Sequence, residues 1–324
     1  MQNKPENVSE NVSENISENI SENISEGSNI DASDEIIEKV SFFEKLKEKI
    51  PSVGQGNYRK AVVAFAIFSI LFSLFRIYVI KKSIEFPGFA AGNPNYKLEN
   101  TFYTSLFNAI YVATGVVCLF VGIFSHKVEY GPNKRSNVFV FVSSLAGFCM
   151  VGCAGFFIYR SALDDSAMMK WEYWTIILML FTGIYFAMDA VGFVGEKTRP
   201  WFSLITVVFC VVRIICEFIL THEDQYLSST EFHLLGLVFI LLFFVNGARL
   251  QVYEKVGMWY KVFGLFASLA LLVYSVPEIY ISLFEPYRVD SNFIFCIVDV
   301  CLAFYCFSRL MSVKFEKSAA YETE

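Results

Sequence analysis

The chain has 324 residues, 55% of them hydrophobic and only 18% charged, with 35 Phe and 17 Tyr, which is too apolar for a soluble domain and fits a membrane solvent. Its net charge of −6 is uneven: residues 1–38 hold ten acids and one Lys, a net −9, so the other 286 residues carry about +3. No basic patch suited to nucleic acid is present, and nucleic acid is excluded as a partner.

Residues 1–33 are dominated by a four-residue unit, "ENVSENVSENISENISENISE", from Glu6 to Glu26. Asn, Ser and β-branched residues are weak helix formers, and a period of four drifts against 3.6. The segment reads as a disordered, acidic, low-complexity tail. Five N-x-S sequons begin at Asn7, Asn11, Asn15, Asn19 and Asn23, but they matter only in a secretory lumen, and no signal peptide precedes them.

Residues 34–50, "DEIIEKVSFFEKLKEKI", differ in kind. Ile36, Val40, Phe43, Lys47 and Ile50 follow helical spacing, acids lead, Lys45, Lys47 and Lys49 trail, and Pro51 closes the segment. This pattern predicts an amphipathic interfacial helix on the cytoplasmic leaflet, or one packed on a protein partner. Residues 51–60 read as a linker to the first span.

Eight apolar segments follow, at 61–80, 102–124, 137–159, 173–194, 201–220, 232–249, 259–281 and 292–311. Each is near the roughly 20 residues that cross about 30 Å of hydrocarbon as a helix. The fold class is therefore all-α: a polytopic integral membrane protein with eight transmembrane helices, whose first partner is the lipid bilayer. Residues 81–101, with "EFPGFAAGNPN", read as an ordered external loop or re-entrant turn. Trp171, Trp174, Trp201 and Trp259 open their spans, as interfacial tryptophans do.

Orientation follows from Lys and Arg. Sixteen lie on one side of this threading (Lys45, Lys47, Lys49, Arg59, Lys60, Lys127, Lys134, Arg135, Lys197, Arg199, Arg249, Lys255, Lys261, Arg309, Lys314 and Lys317) against six on the other (Lys81, Lys82, Lys97, Arg160, Lys170 and Arg288). The positive-inside rule then predicts a multi-pass protein of the cell membrane with both termini cytoplasmic, residues 314–324 forming a C-terminal tail.

Three marks recur in order. Arg76 lies late in span 1 and Arg213 late in span 5, each followed by Ile; "FVGIFSHKVEY" leaves span 2 as "FVNGARLQVYE" leaves span 6; "KWE" precedes span 4 and "RVD" span 8. They predict a tandem duplication, with a four-helix unit at 61–195 and a second at 196–313. Eight unrelated helices with ordinary boundary residues are the alternative.

Small residues at fourfold spacing (Thr114, Cys118 and Gly122; Ser143 and Gly147; Cys149 and Cys153; Gly264 and Ser268) suit close helix packing. All eight cysteines fall within predicted spans and read as packing residues rather than disulfides or metal ligands. His222, Glu223, Asp224 and His233 cluster near the loop between spans 5 and 6, a combination able to ligate zinc, although solvated loop residues are the commoner case. No cofactor is expected: the sequence holds no phosphate-binding glycine loop, no H-E-x-x-H and no Gly-flanked nucleophilic Ser, and no catalytic residue emerges.

Ionisable residues inside spans are the strongest functional signal, because a charge in hydrocarbon is costly. Arg213 lies seven residues from Leu220, roughly 10 Å below the outer helix end, whereas Arg76, four residues from Ile80, is expected to snorkel to the surface. Asp299 sits at a depth matching Arg213, and spans 5 and 8 touch in an antiparallel four-helix unit. The expected intramembrane polar site is thus an Arg213–Asp299 pair with Glu217 as its outer contact, against the alternative of Arg213 reaching lipid phosphates and Asp299 solvated separately. Asp189 and Arg309, both near inner span ends, form a second expected pair, with separate interfacial solvation as its alternative.

Two function classes fit. One is transport of a small solute or ion between two bundles. The other is a non-transporting sensor, assembly factor or scaffold whose spans present residues 1–50 to a cytoplasmic protein partner. An enzyme is the weakest of the three readings.

Overall fold

The computed structural model describes residues 55–85, 97–98, 102–124, 128–129, 137–163, 170–195, 197–223, 230–253, 255–256, 258–284 and 293–315. The expected tail, the interfacial helix, the middle of the 81–101 loop, the "RVD" mark and the side chains of Trp171, His222, Glu223 and Asp224 lie outside the described residues or side chains.

Eight helices account for nearly all of what is described: α1 Gln55–Ser83, α2 Phe102–Phe124, α3 Asn137–Leu163, α4 Lys170–Val191, α5 Arg199–Glu223, α6 Thr230–Tyr253, α7 Trp259–Phe284 and α8 Phe293–Met311. All eight are long and apolar enough to cross a membrane. The protein is an eight-helix polytopic membrane protein, as the hydropathy pattern predicts. Helices are the natural solution in hydrocarbon because each satisfies its own backbone polar groups. The expected linker is shorter than 51–60: helix α1 already begins at Gln55, and Tyr58, at 1% exposure, packs in the core.

Two-residue strands tie the helix ends. Strand β1 (Ile84–Glu85) pairs antiparallel with β2 (Lys97–Leu98) between α1 and α2. Strand β3 (Val128–Glu129) pairs antiparallel with both β4 (Lys255–Val256) and β5 (Lys314–Phe315). The second sheet gathers the C-terminal ends of α2, α6 and α8 at one end of the bundle, as an even number of crossings between them requires. Which end faces the cytoplasm follows from the basic bias alone. A cysteine introduced in the 81–101 or 221–231 loop is expected to label from outside intact cells, and one at 126–136 to be protected; labelling at 126–136 from outside would invert the threading.

Contacts run α3–α4–α5–α6–α7–α8 and return from α8 to α3, closing a ring of six helices. Helices α1 and α2 pack on α7, and α1 also reaches α8. Helix α7 is therefore central: 78% of its spanning window is buried, against 28% for α2. Small residues make these approaches. A Cβ on Gly122 would meet the Val262 side chain and one on Gly264 the Phe243 ring, while Ser268 Oγ donates to Gly264 O at 2.7 Å and also lies 3.2 Å from Ala303 O on α8. The rings of Trp174, Trp201 and Trp259 are exposed near helix starts, where an interfacial belt would hold them.

One turn matters for the site. Helix α4 ends at Gly192, whose φ of 96° suits glycine, with Gly192 N and Phe193 N both bonded to Met188 O at 3.0 Å. The chain then turns through Gly195–Thr198, where Thr198 Oγ1 and Arg199 N both donate to Gly195 O, and Pro200 enters the first turn of α5. This tight reversal returns Arg199 to the end of α4.

Candidate functional site

Near the end of the bundle that bears the α5–α6 connection, three helices converge on four ionisable side chains. Arg213 and Glu217 project from α5 one turn apart, His233 from the first turn of α6, and Asp299 from the second turn of α8. Exposures of 2% for Arg213, 7% for Glu217, 2% for His233 and 0% for Asp299 place all of them inside the protein and away from lipid. A charge so placed needs full compensation.

Arg213 meets Asp299 through one hydrogen bond, Nη2 to Oδ2 at 2.8 Å, and a close ion-pair contact between Nη1 and Oδ1 at 2.6 Å that lacks hydrogen-bond geometry. Nη2 also points to Phe295 O at 3.4 Å, and the guanidinium carbon stands 5.0 Å from the Phe295 ring centroid. Both side chains are buried against each other, at 2% and 0% exposure.

The surroundings of Glu217 differ from expectation. Its Oε1 meets His233 Nδ1 at 3.0 Å, so His233, rather than Arg213, is its direct partner. The imidazole in turn faces Asp299 Oδ2 from Nε2, also at 3.0 Å, and so stands between the two carboxylates. The Tyr274 ring of α7 stacks on it at 4.1 Å with a 7° tilt. The zinc reading of the loop cluster is corrected at His233, which is a core residue with both ring nitrogens occupied by carboxylates. Among the described residues, no group of three His, Cys, Asp or Glu side chains is placed to hold a metal ion.

A signal for His233 exists in the sequence. It begins the stripe 233, 236, 237, 240, 243 and 244, which is the buried face of α6. Reading the first residues of a span as loop concealed it.

The opposite end carries a second cluster. Arg309 of α8 donates from Nη2 to Asp189 Oδ2 of α4 at 2.8 Å, bringing together the second expected pair. Arg199, which sequence reasoning missed here, holds the other oxygen, Nε to Oδ1 at 3.1 Å, by virtue of the α4–α5 turn. Arg309 also bonds Tyr305 Oη at 3.0 Å and lies 4.7 Å from the Phe139 ring centroid. Asp189 is buried at 3%, but Arg199 and Arg309 keep 15% and 24% of their side-chain surface exposed. The separate-solvation reading is thereby set aside for this pair.

Arg76 does not snorkel. It is 3% exposed, with its guanidinium 4.7 Å from the Phe232 ring centroid of α6 and 5.4 Å from that of Phe107 of α2. Rings from two other helices pack against the cation inside the bundle and favour its burial. Arg76 and Arg213 occupy matching sequence positions, and each guanidinium lies against aromatic rings from other helices.

Comparison of the chain with protein-family models, with curated proteins and with solved structures returns no match. The functional reading accordingly rests on the two ionic clusters and the helices that carry them.

Proposed function

We propose that the protein is a membrane transporter of a small solute or ion. The observation that carries this reading is the placement of two ionic clusters toward opposite ends of one bundle, both built on α5 and α8. Arg199 and Arg213 are fourteen residues apart on α5, about 21 Å, and Asp299 and Arg309 ten apart on α8, about 15 Å. A solute passing between these helices would meet one ionic contact near each face. Bundles that only anchor a cytoplasmic segment have no comparable need for buried ions, which are costly wherever lipid is the alternative solvent.

Between the clusters, Phe186 of α4 stacks on Tyr305 of α8 at 4.0 Å, and Phe244 of α6 packs 5.9 Å from each ring. These rings separate the two polar ends in the arrangement seen. Passage would require them to move apart, which is the kind of motion alternating access demands.

The test is reconstitution of the full chain into liposomes, exposure to a mixed extract of small metabolites and salts, and mass spectrometry of what enters. Entry of a definite solute above protein-free vesicles, lost in Asp299→Asn, is expected. Absence of any entry from an intact, folded protein would overturn transport. Loss of a captured cytoplasmic partner on deleting residues 1–50 would then favour the sensor, assembly-factor or scaffold reading.

A further inference from the structure

We infer that Glu217, His233 and Asp299 form a proton-binding site, and that a proton is the ion to which transport is coupled. The coupling rests on the transport reading above; the proton site stands on its own geometry.

A carboxylate oxygen only accepts hydrogen bonds, whereas an imidazole nitrogen donates only when it carries hydrogen. With Nδ1 at 3.0 Å from Glu217 Oε1 and Nε2 at 3.0 Å from Asp299 Oδ2, the two contacts need a hydrogen in each. Either the ring is doubly protonated or one of the carboxyls carries the second proton. The four side chains are neutral as a group only with that proton present: Arg213 and the imidazolium supply two positive charges, Glu217 and Asp299 two negative ones.

The geometry also provides for the proton's departure. Arg213 Nη2 lies 3.5 Å from His233 Nε2. While Nε2 bears hydrogen these are two donors facing each other, offset by the shared Asp299 oxygen. When the N–H bond breaks, its electron pair stays on Nε2, which then accepts from Arg213 with a small approach. The proton passes to Asp299 Oδ2, with formation of the O–H bond. Nδ1 keeps its hydrogen on Glu217 throughout. Each state therefore leaves both ring nitrogens partnered, whereas a purely structural ion pair has no use for a second partner at Nε2.

The other groups facing the ring agree with this assignment. Helix α5 presents Arg213 and Glu217. Helix α7 presents the stacked Tyr274, which fixes the ring plane, with Glu278 farther along the same helix and within electrostatic range of Tyr274. Helix α8 presents Asp299 and carries Cys296 one turn earlier, within electrostatic range of Tyr274. Glu217 is the most exposed of the three carboxylate–imidazole members, 9% of its side chain against 2% for His233 and 0% for Asp299, and is the member nearest to water. Because the three residues sit on three helices, loading and unloading alter how α5, α6 and α8 hold together.

The test uses the full-length chain in liposomes. With His126→Asn and His222→Asn, His233 is the one histidine left, and its ¹⁵N spectrum reports ring protonation directly. A change between doubly and singly protonated ring between about pH 5 and pH 9 is expected, with Asp299→Asn losing the proton at lower pH because an anion that holds it is gone. A ring with unchanged protonation across that range would overturn the proton site. In the second arm, metabolite-extract uptake is measured with and without an inward proton gradient. A several-fold rise with the gradient, absent in His233→Gln, supports coupling. Equal uptake with and without the gradient overturns coupling and leaves transport standing, and a titrating ring in a protein that admits no solute overturns coupling together with the transport reading.

Discussion

Asp299→Ala is expected to destabilise the protein by about 3–5 kcal/mol, the loss typical of removing one partner from a buried pair, because Arg213 is then left buried without its carboxylate. Arg213→Ala should cost somewhat less, since Asp299, though 0% exposed, keeps His233 Nε2 at 3.0 Å. The double change Arg213→Met with Asp299→Leu removes both charges and keeps volume, and should lose less than the sum of the single losses, a coupling of about 0.5–3 kcal/mol. A plain charge swap is a poorer rescue because Arg at 299 would face His233, which stands 3.0 Å from Asp299 Oδ2. The inner cluster supplies the contrast. Arg309→Ala should cost less than Asp299→Ala, because Arg199 still holds Asp189 at 3.1 Å and both arginines are partly exposed. Thermal unfolding in detergent checks the set. Strictly additive losses at 213 and 299, or an Arg309→Ala loss equal to that of Asp299→Ala, would contradict the assigned geometry.

How much of this was legible in the sequence depends on whether a partner lies at a predictable depth. Arg213 and Asp299 were, since position along a helix translates directly into depth at about 1.5 Å per residue and both lie on apolar stretches. Asp189 and Arg309 were legible for the same reason. Arg199 was not, because its placement depends on the reversal at Gly192 and on how the next turn aims the α5 start. The Arg76 packing was not either: its rings come from α2 and α6, and the order of helices around a bundle is not written in the hydropathy of any one of them. His233 sits between these cases. Its buried stripe was visible, but its partners come from α5 and α8. The trio of sequence marks at 76/213, 120–130/244–254 and 170–172/288–290 suggested two four-helix units, yet α7 packs on helices of both, so the contacts follow the ring around α3–α8 as much as the chain order.

Gly147→Ala carries the second large expected effect, because among the described glycines a Cβ there comes nearest to backbone of a neighbouring helix. A Cβ at 147 would stand 2.6 Å from Gly183 O and 2.8 Å from Ala187 N, and the reciprocal Cβ at 183 would stand 2.8 Å from Gly147 O. These are backbone atoms, so no side chain can yield, and α3 and α4 must separate to restore ordinary contact at about 3.5–4 Å. Separation would break Ser143 Oγ to Phe186 O, now 3.1 Å, and pull Phe186 from its stack on Tyr305. It would also draw Asp189, one turn beyond Phe186, away from Arg309. The expected loss is about 1–3 kcal/mol for Ala, and greater for Leu. Gly152 and Gly155 are the controls on the same helix: an added Cβ at either meets nothing within 4 Å, so their change to Ala should be neutral or slightly stabilising through helix propensity. Thermal unfolding of the three Ala variants decides. In the Gly147→Ala background, moreover, Arg309→Ala should lose much of its further effect, because the ion pair it breaks is already loosened. A Gly147→Ala protein as stable as Gly152→Ala would mean that α3 and α4 do not meet through glycine, and that Phe186 and Asp189 are positioned by some other contact.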